Sequence, residues 1–283
     1  MWGISFPAIK ISIQFISPLL FNTLRFIISF IVFYIFFKNK INISLFNEWK
    51  YGLILGIFIF LGFAFQAIGM KYTSASKSAF ITGMSLIFIP FMQYFILGKK
   101  PRPENIIGAI LVITGLYILS EAYFYSLNPG DLLTIFCAVS FAVHIVLLDK
   151  YSKISGLNYL LFGQFLTMMV LGIISVLLFD VYVNNDLYFE INSQTVISVL
   201  YTALFSIFLS IILMTKYQKL TTPLRAGIIY NMESIFAVFF SFIILNETLN
   251  FNQITGAVIM LAGFLISEFY GLLKLKFSDD GKI

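Results

Sequence analysis

Three features of the sequence predict an all-α polytopic membrane protein of ten transmembrane helices, arranged as two inverted five-helix repeats with both termini in the cytoplasm. The first is composition. Of 283 residues 60% are hydrophobic and 11% are charged, with a mean hydropathy of +0.96, whereas a soluble domain carries about 25% charged residues. The second is spacing, because the apolar residues fall into runs separated by short polar or charged stretches. The third is an internal duplication.

Apolar runs bounded by charge and turn residues place helices near 1–16, 18–37, 51–70, 76–97, 106–120, 130–149, 157–179, 194–216, 223–245 and 251–273. A membrane helix takes about 20 mostly apolar residues, so ten of them with short loops use up the chain and leave no room for a soluble domain. With the N-terminus inside, Lys38, Lys40, Lys99, Lys100, Lys216 and Lys219 all fall in inner loops. The outer side then holds Lys10, Lys71 and Lys77, while the outer loop with Asp180, Asp186 and Glu190 has no basic residue. The positive-inside rule accordingly puts both termini in the cytoplasm. It also accounts for the net charge of +5 without a nucleic-acid partner.

Residues 72–119 align without a gap onto 220–267, pairing Thr73 with Thr221, Lys77 with Arg225, Met84 with Met232 and Phe88 with Phe236. The register carries Ile96-Leu97 onto Ile244-Leu245, and Gly108 and Gly115 onto Gly256 and Gly263. This is a duplication, with a first repeat over 1–120, a second over 130–273 and a short cytoplasmic tail over 274–283. An odd number of helices per copy makes the second copy enter the membrane from the opposite side, the design that lets one half rock against the other around a midplane site. The earlier part of each half aligns more weakly, with Phe141-Ala142 under Trp2-Gly3 and Gln164-Phe165 under Arg25-Phe26. On that register Met1 falls under Ser140, so the first repeat is expected to begin about ten residues upstream of Met1; a first helix of half length is the other reading.

An ionisable group inside a bilayer costs at least about 2.5 kcal/mol at a helix centre, so one that is kept faces a cavity or a partner. Glu233, about ten residues into its helix, lies about 15 Å deep, near the midplane. Its carboxylate can exchange a proton, which makes the proton a candidate coupling ion, or pair with a substrate amine; a neutral carboxyl satisfied by a neighbouring helix is the structural alternative. Tyr230 precedes it on the same helical face, with the small Ala226 and Ala237, whereas Asn231 sits about 100° away and is expected to serve another contact. His144 is open to two readings, a substrate or proton contact and a histidine satisfied by the next helix. Arg25, in the outer third of the second helix, is read as structural or gating, snorkelling or paired with an outer carboxylate. Glu268 is read as interfacial, and the paired glycines as close helix packing.

One histidine and one cysteine, Cys137, give neither a disulfide nor a metal cluster. With no His-Glu-x-x-His or Gly-x-Ser-x-Gly motif either, an enzyme is not expected, nor a cofactor. A sensor or scaffold would need a sizeable soluble loop or tail. The expected partners are a small-molecule substrate and the lipid bilayer. A fused repeat needs no second copy, so a monomer is expected. The 34 Phe and 15 Tyr are assigned to lipid-facing and interfacial packing and say nothing of the substrate.

Trp2-Gly3-Ile4-Ser5-Phe6 with Lys10, Ser17-Pro18 followed by Arg25-Phe26, and the run from Gln66 to Gly83 continuing to Ile89-Pro90 resemble the drug/metabolite transporter superfamily, EamA type. In the second half, Met232 to Ala237, Asn246 to Leu249 and Gly256 to Glu268 are similar to the same family. Ser234, where the family often has proline, and Lys99, where it often has an acidic residue, depart from the pattern. The resemblance implies a secondary carrier in the plasma (inner) membrane of a prokaryote-like cell, exporting or sometimes importing amino acids, nucleosides or related metabolites. It further implies a central cavity lined by the first, third, fourth, sixth, eighth and ninth helices. That adds Trp2, Ser5, Gln66, Thr82, Ser85 and Tyr201 to His144, Tyr230 and Glu233 as candidate cavity residues.

Overall fold

In a bilayer every backbone N–H and C=O must be satisfied within the protein, which leaves helices as the natural solution for runs this apolar. The computed structural model describes residues 1–42, 44–120, 128–183, 187–236 and 250–279, and its regular elements are all helical apart from an isolated bridge between Ile16 and Phe189. Ala237, Ile244-Leu245, the Asn246 to Leu249 turn and Asp186 lie outside the described residues.

The first half runs α1 (Trp2–Ser12), α2 (Pro18–Phe37), α3 (Phe46–Gly69), α4 (Ala75–Gly83), α5 (Ser85–Leu97) and α6 (Pro103–Ser120). The second runs α7 (Pro129–Tyr151), α8 (Leu157–Ser175), α9 (Ser193–Tyr201), α10 (Ser210–Tyr217), α11 (Pro223–Asn231) and α12 (Phe251–Asp279). Proline at the first helical position, where no N–H is needed, starts α2, α7 and α11. Gly98, at φ 64°, stops α5. A capping box formed by Asn128 and Asp131 opens α7.

Seven described segments are long and apolar enough to span a membrane: Pro18–Lys40, Phe46–Gly69, Lys77–Leu97, Pro129–Tyr151, Leu157–Val183, Ser193–Leu220 and Phe251–Glu268. Pro103–Leu119 is a shorter apolar helix. Of the ten predicted spans, the first corresponds to α1, only 11 residues long, and the ninth is described only as far as Phe236. The eighth is one helix whose middle, Thr202–Leu209, is π-helical. The last helix continues to Asp279 instead of ending at 273.

The fourth span departs most from a plain rod. It is interrupted at Met84, and the ninth is interrupted at Met232. At each point a three-residue bond enters the α pattern: Met84 O accepts from Ile87 N at 2.8 Å, and Met232 O accepts from Ile235 N at 3.1 Å beside Phe236 N at 3.3 Å. Both pairs are related by the repeat offset, as are the bounds of α4 and α11 and their caps. Ser74 accepts from Lys77 N, and Thr222 from Arg225 N.

The outer surface is apolar, with Phe36, Phe95, Ile197 and Val258 all exposed, which suits a chain solvated by lipid and not by water. Polar side chains knit the helices inside. Ser29 Oγ donates to Ala203 O at 2.9 Å, Lys77 pairs with the fully buried Asp131 at 2.6 Å, and Arg225 is bidentate to Glu268. Glu268 is therefore an anchor joining α11 to α12, not simply an interfacial charge. Many phenylalanines are also internal: Phe21, Phe26, Phe33 and Phe165 are fully buried and, apart from Phe21, pack between α2, α3 and α8, contrary to their assignment to the lipid face.

Thr222 caps α11 and accepts from Asn105 Nδ2 at 3.1 Å, while Ser267 Oγ donates to Asn105 Oδ1 at 3.0 Å, so one polar chain ties α11, α6 and α12 together. Thr222→Ala is expected to cost about 1–2 kcal/mol, read as a lower melting temperature of the detergent-purified protein. Thr222→Ser should restore it, and an unchanged Thr222→Ala would refute the cap.

Candidate functional site

The two helix interruptions meet. Gly83 and Asn231 are equivalent residues of the repeat, and a Cβ placed on Gly83 would stand 2.5 Å from Asn231 Oδ1. The C-terminal ends of α4 and α11 thus touch, and the residues flanking both interruptions (Thr82, Gly83 and Ser85; Tyr230, Asn231 and Glu233) line a single internal cavity of about 90 Å³. This is room for several waters or a small polar ligand.

Eight of the nine candidate residues line this cavity. Trp2 and Ser5 come from α1. The Trp2 indole donates to Ser206 O at 2.7 Å, and the Ser5 hydroxyl is hydrogen-bonded to that of Ser206. Gln66 on α3 donates to Thr82 Oγ1 at 3.2 Å. Ser85 opens α5, and Tyr230 donates to Gln218 Oε1 at 3.3 Å while its ring stands edge-on to Trp2 at 5.8 Å. His144 is satisfied by α8: Gln164 Nε2 donates to Leu160 O and Thr215 Oγ1, so its Oε1 accepts from His144 Nε2 at 3.0 Å. The structure therefore supplies the neighbouring-helix partner of the second reading of His144, and keeps the imidazole edge on the cavity wall.

Tyr201 lies apart. It is on α9, stacks on Phe205 and reaches only Met1 O at 3.4 Å, and it lines neither this cavity nor the larger one beside it. That second cavity, about 560 Å³, opens between α1, α10 and α11. Trp2, Met214, Tyr230 and Glu233 belong to both linings and form the partition between them. Glu233 Oε2 is buried and makes no hydrogen bond among the described residues.

Asn231 makes contacts of its own, donating to Gly227 O at 3.0 Å and packing on Gly83, and it also lines the cavity with Tyr230 and Glu233. One sequence expectation fails here. Arg25 neither snorkels nor meets a carboxylate among the described residues. It is 1% exposed, lines the cavity and lies against the rings of Phe21 and Phe63 at 5.2 and 5.4 Å. Gly83 also escaped sequence reading, although its match with Asn231 at the repeat offset was the available signal.

Comparison with known proteins agrees with this architecture. The EamA-like transporter family model matches residues 1–121 and 128–269. An uncharacterized transporter of Archaeoglobus fulgidus is 32% identical over 94% of this chain and 82% of its own length. A protein of Salmonella typhimurium named a probable amino-acid metabolite efflux pump is 24% identical over 95% and 91%. One crystal structure, 15% identical, superposes with a TM-score of 0.74 over 95% of both chains, which shows a shared fold. Two family matches covering nearly the whole length, on an all-helical body with an apolar exterior, establish that this multi-pass integral membrane protein belongs to the EamA-like transporter family.

Proposed function

We propose that the chain is a secondary transporter that carries a small metabolite by alternating access, with ten membrane helices in two inverted five-helix repeats over 1–120 and 130–273 and both termini cytoplasmic. The observation that carries this reading is the cavity formed where α4 and α11, interrupted at the repeat-equivalent Met84 and Met232, meet end to end. Interrupted helices at corresponding positions of two halves are where carriers of this design hold their substrate, because the freed backbone lines a cavity in place of lipid. The reciprocal packing of α6 on α12 supports a two-fold relation between the halves: Gly108 packs on Gly263 and Gly115 on Gly256, each pair being the image of the other. The two stretches matched by the family model fit the same division.

Glu233 is assigned the coupling role, exchanging a proton or pairing with a substrate amine. Trp2, Ser5, Gln66, Thr82, Ser85, His144 and Tyr230 form the walls. Export is the direction proposed, in keeping with the name of the Salmonella relative. A monomer suffices, since the chain carries both halves of the cavity.

The test is flux in proteoliposomes of purified protein, using labelled amino acids and nucleosides with and without a pH gradient. Glu233→Gln removes a charged hydrogen-bonding group, about 1.5–3 kcal/mol, so gradient-driven flux should fall about ten- to a hundredfold. Undiminished flux in the variant would remove Glu233 from the coupling role. Accumulation only in the uptake orientation would reverse the direction.

A further inference from the structure

A guanidinium buried away from water needs an anion or a full set of hydrogen-bond acceptors, since its pKa keeps it charged under any ordinary condition. Arg25 has neither. It is 1% exposed, the bulkiest of the fully buried side chains, and it lines the central cavity. Among the described residues its one hydrogen bond runs from Nη1 to Asn22 Oδ1 at 2.8 Å, and its buried Nε has no acceptor.

The surroundings hold this charge in place without neutralising it. Asn22 is oriented by its own amide, which donates to Phe63 O at 2.8 Å, so that its oxygen faces Arg25. The rings of Phe21 and Phe63 lie 5.2 and 5.4 Å from the guanidinium carbon and fix the group by their faces. The remaining donors form a planar fork of the shape that takes a carboxylate through two parallel bonds. Glu233 is the one carboxylate among the described residues that line the cavity, and no salt bridge among them joins it to Arg25.

We propose that Arg25 is the anion subsite of the transport cavity and that it reads a carboxylate carried by the transported metabolite. This rests on the carrier reading above and narrows it: neutral nucleosides and simple amines lack the group that would complete Arg25. A substrate carboxylate would supply the counter-charge that no described residue gives Arg25.

The experiment uses the purified full-length protein and its Arg25→Lys, Arg25→Gln and Arg25→Met variants. Thermal unfolding is followed with alanine, threonine, leucine and phenylalanine, with the carboxamide of each, with adenosine and uridine, and with sodium phosphate and sodium chloride. At least one free carboxylate should raise the melting temperature of the wild type, with its carboxamide at least about tenfold weaker. Arg25→Gln should abolish that preference, and Arg25→Lys should keep it in weakened form. Without ligand, Arg25→Met should melt at or above the wild-type temperature, because it deletes a charge that no described residue neutralises; a merely structural arginine would lower it. A shift produced equally by phosphate or chloride overturns the carboxylate assignment, as does stabilisation by nucleosides that Arg25→Gln leaves intact, or no response to any carboxylate. Flux in proteoliposomes separates the two readings. Nucleoside flux insensitive to Arg25→Gln leaves the carrier standing and removes this subsite, whereas carboxylate-selective stabilisation without flux keeps the subsite and removes the carrier.

Discussion

Gly115→Val and Gly256→Val are each expected to destabilise the protein by about 1–3 kcal/mol, with most of the loss localised to the seam between α6 and α12. A Cβ on Gly115 would stand 2.6 Å from Gly256 O and 2.7 Å from Met260 N; one on Gly256 would stand 2.5 Å from Leu119 N and 2.6 Å from Gly115 O. These obstacles are backbone atoms and cannot rotate away. The helices must separate, and contact between small residues is what holds membrane helices together, because lipid is as apolar as leucine and supplies no hydrophobic drive. Both substitutions open the same contact, so the double variant should cost less than the sum of the singles. Neither helix contributes a residue to the cavity. Protein that survives should therefore keep its substrate preference and apparent KM while its melting temperature in detergent falls. A Gly115→Val protein as stable as the wild type would mean that the seam is not tightly packed.

How much of this was legible beforehand depends on which interaction set each feature. Membrane class and the duplication follow from composition and from a gap-free match, both properties of the chain itself. Helix positions followed apolar runs well for α2, α3, α7 and α8, where caps and charges bound the runs. The interruptions at Met84 and Met232 are not legible, because hydropathy is unchanged across them, and the meeting of Gly83 with Asn231 just before them is a tertiary contact. Arg25 was misread for a different reason. Depth along a helix is readable from sequence, but the direction a side chain takes is decided by neighbours, and here Asn22 and two phenylalanines draw it inward. Glu233 and Tyr230 are legible because a polar group in an apolar run needs a local explanation, whereas Tyr201, expected from the cavity lining that the family resemblance implies, lies outside the cavity.

A disulfide between Ser5→Cys and Ser206→Cys, in a Cys137→Ala background, is expected to reduce flux to the level of empty liposomes, and a reductant to restore it. The two hydroxyls are hydrogen-bonded in this structure, which brings the ends of the two side chains together. Beside them the Trp2 indole is tied to Ser206 O. Together these contacts fasten α1 to the π-helical middle of the eighth span and close one wall of the cavity. In an inverted-repeat carrier the two halves exchange conformations between the inward-open and outward-open states. A contact between repeat-inequivalent residues is carried by that exchange onto a different pair of residues and need not survive it; Ser5 and Ser206 are such a pair. A contact between equivalent residues lies on the two-fold axis and is carried into itself by the exchange. Gly83 and Asn231 are of that second kind, so a Gly83→Cys/Asn231→Cys cross-link is expected to leave the exchange free: whatever the two substitutions cost the cavity they line, a reductant should change the flux of this double variant little. The pair of cross-links thus separates a clamp from a pivot within one protein. Equal inhibition by both would mean that any tether across the cavity stops the protein, and full activity with the Ser5–Ser206 bridge closed would remove α1 from the moving parts.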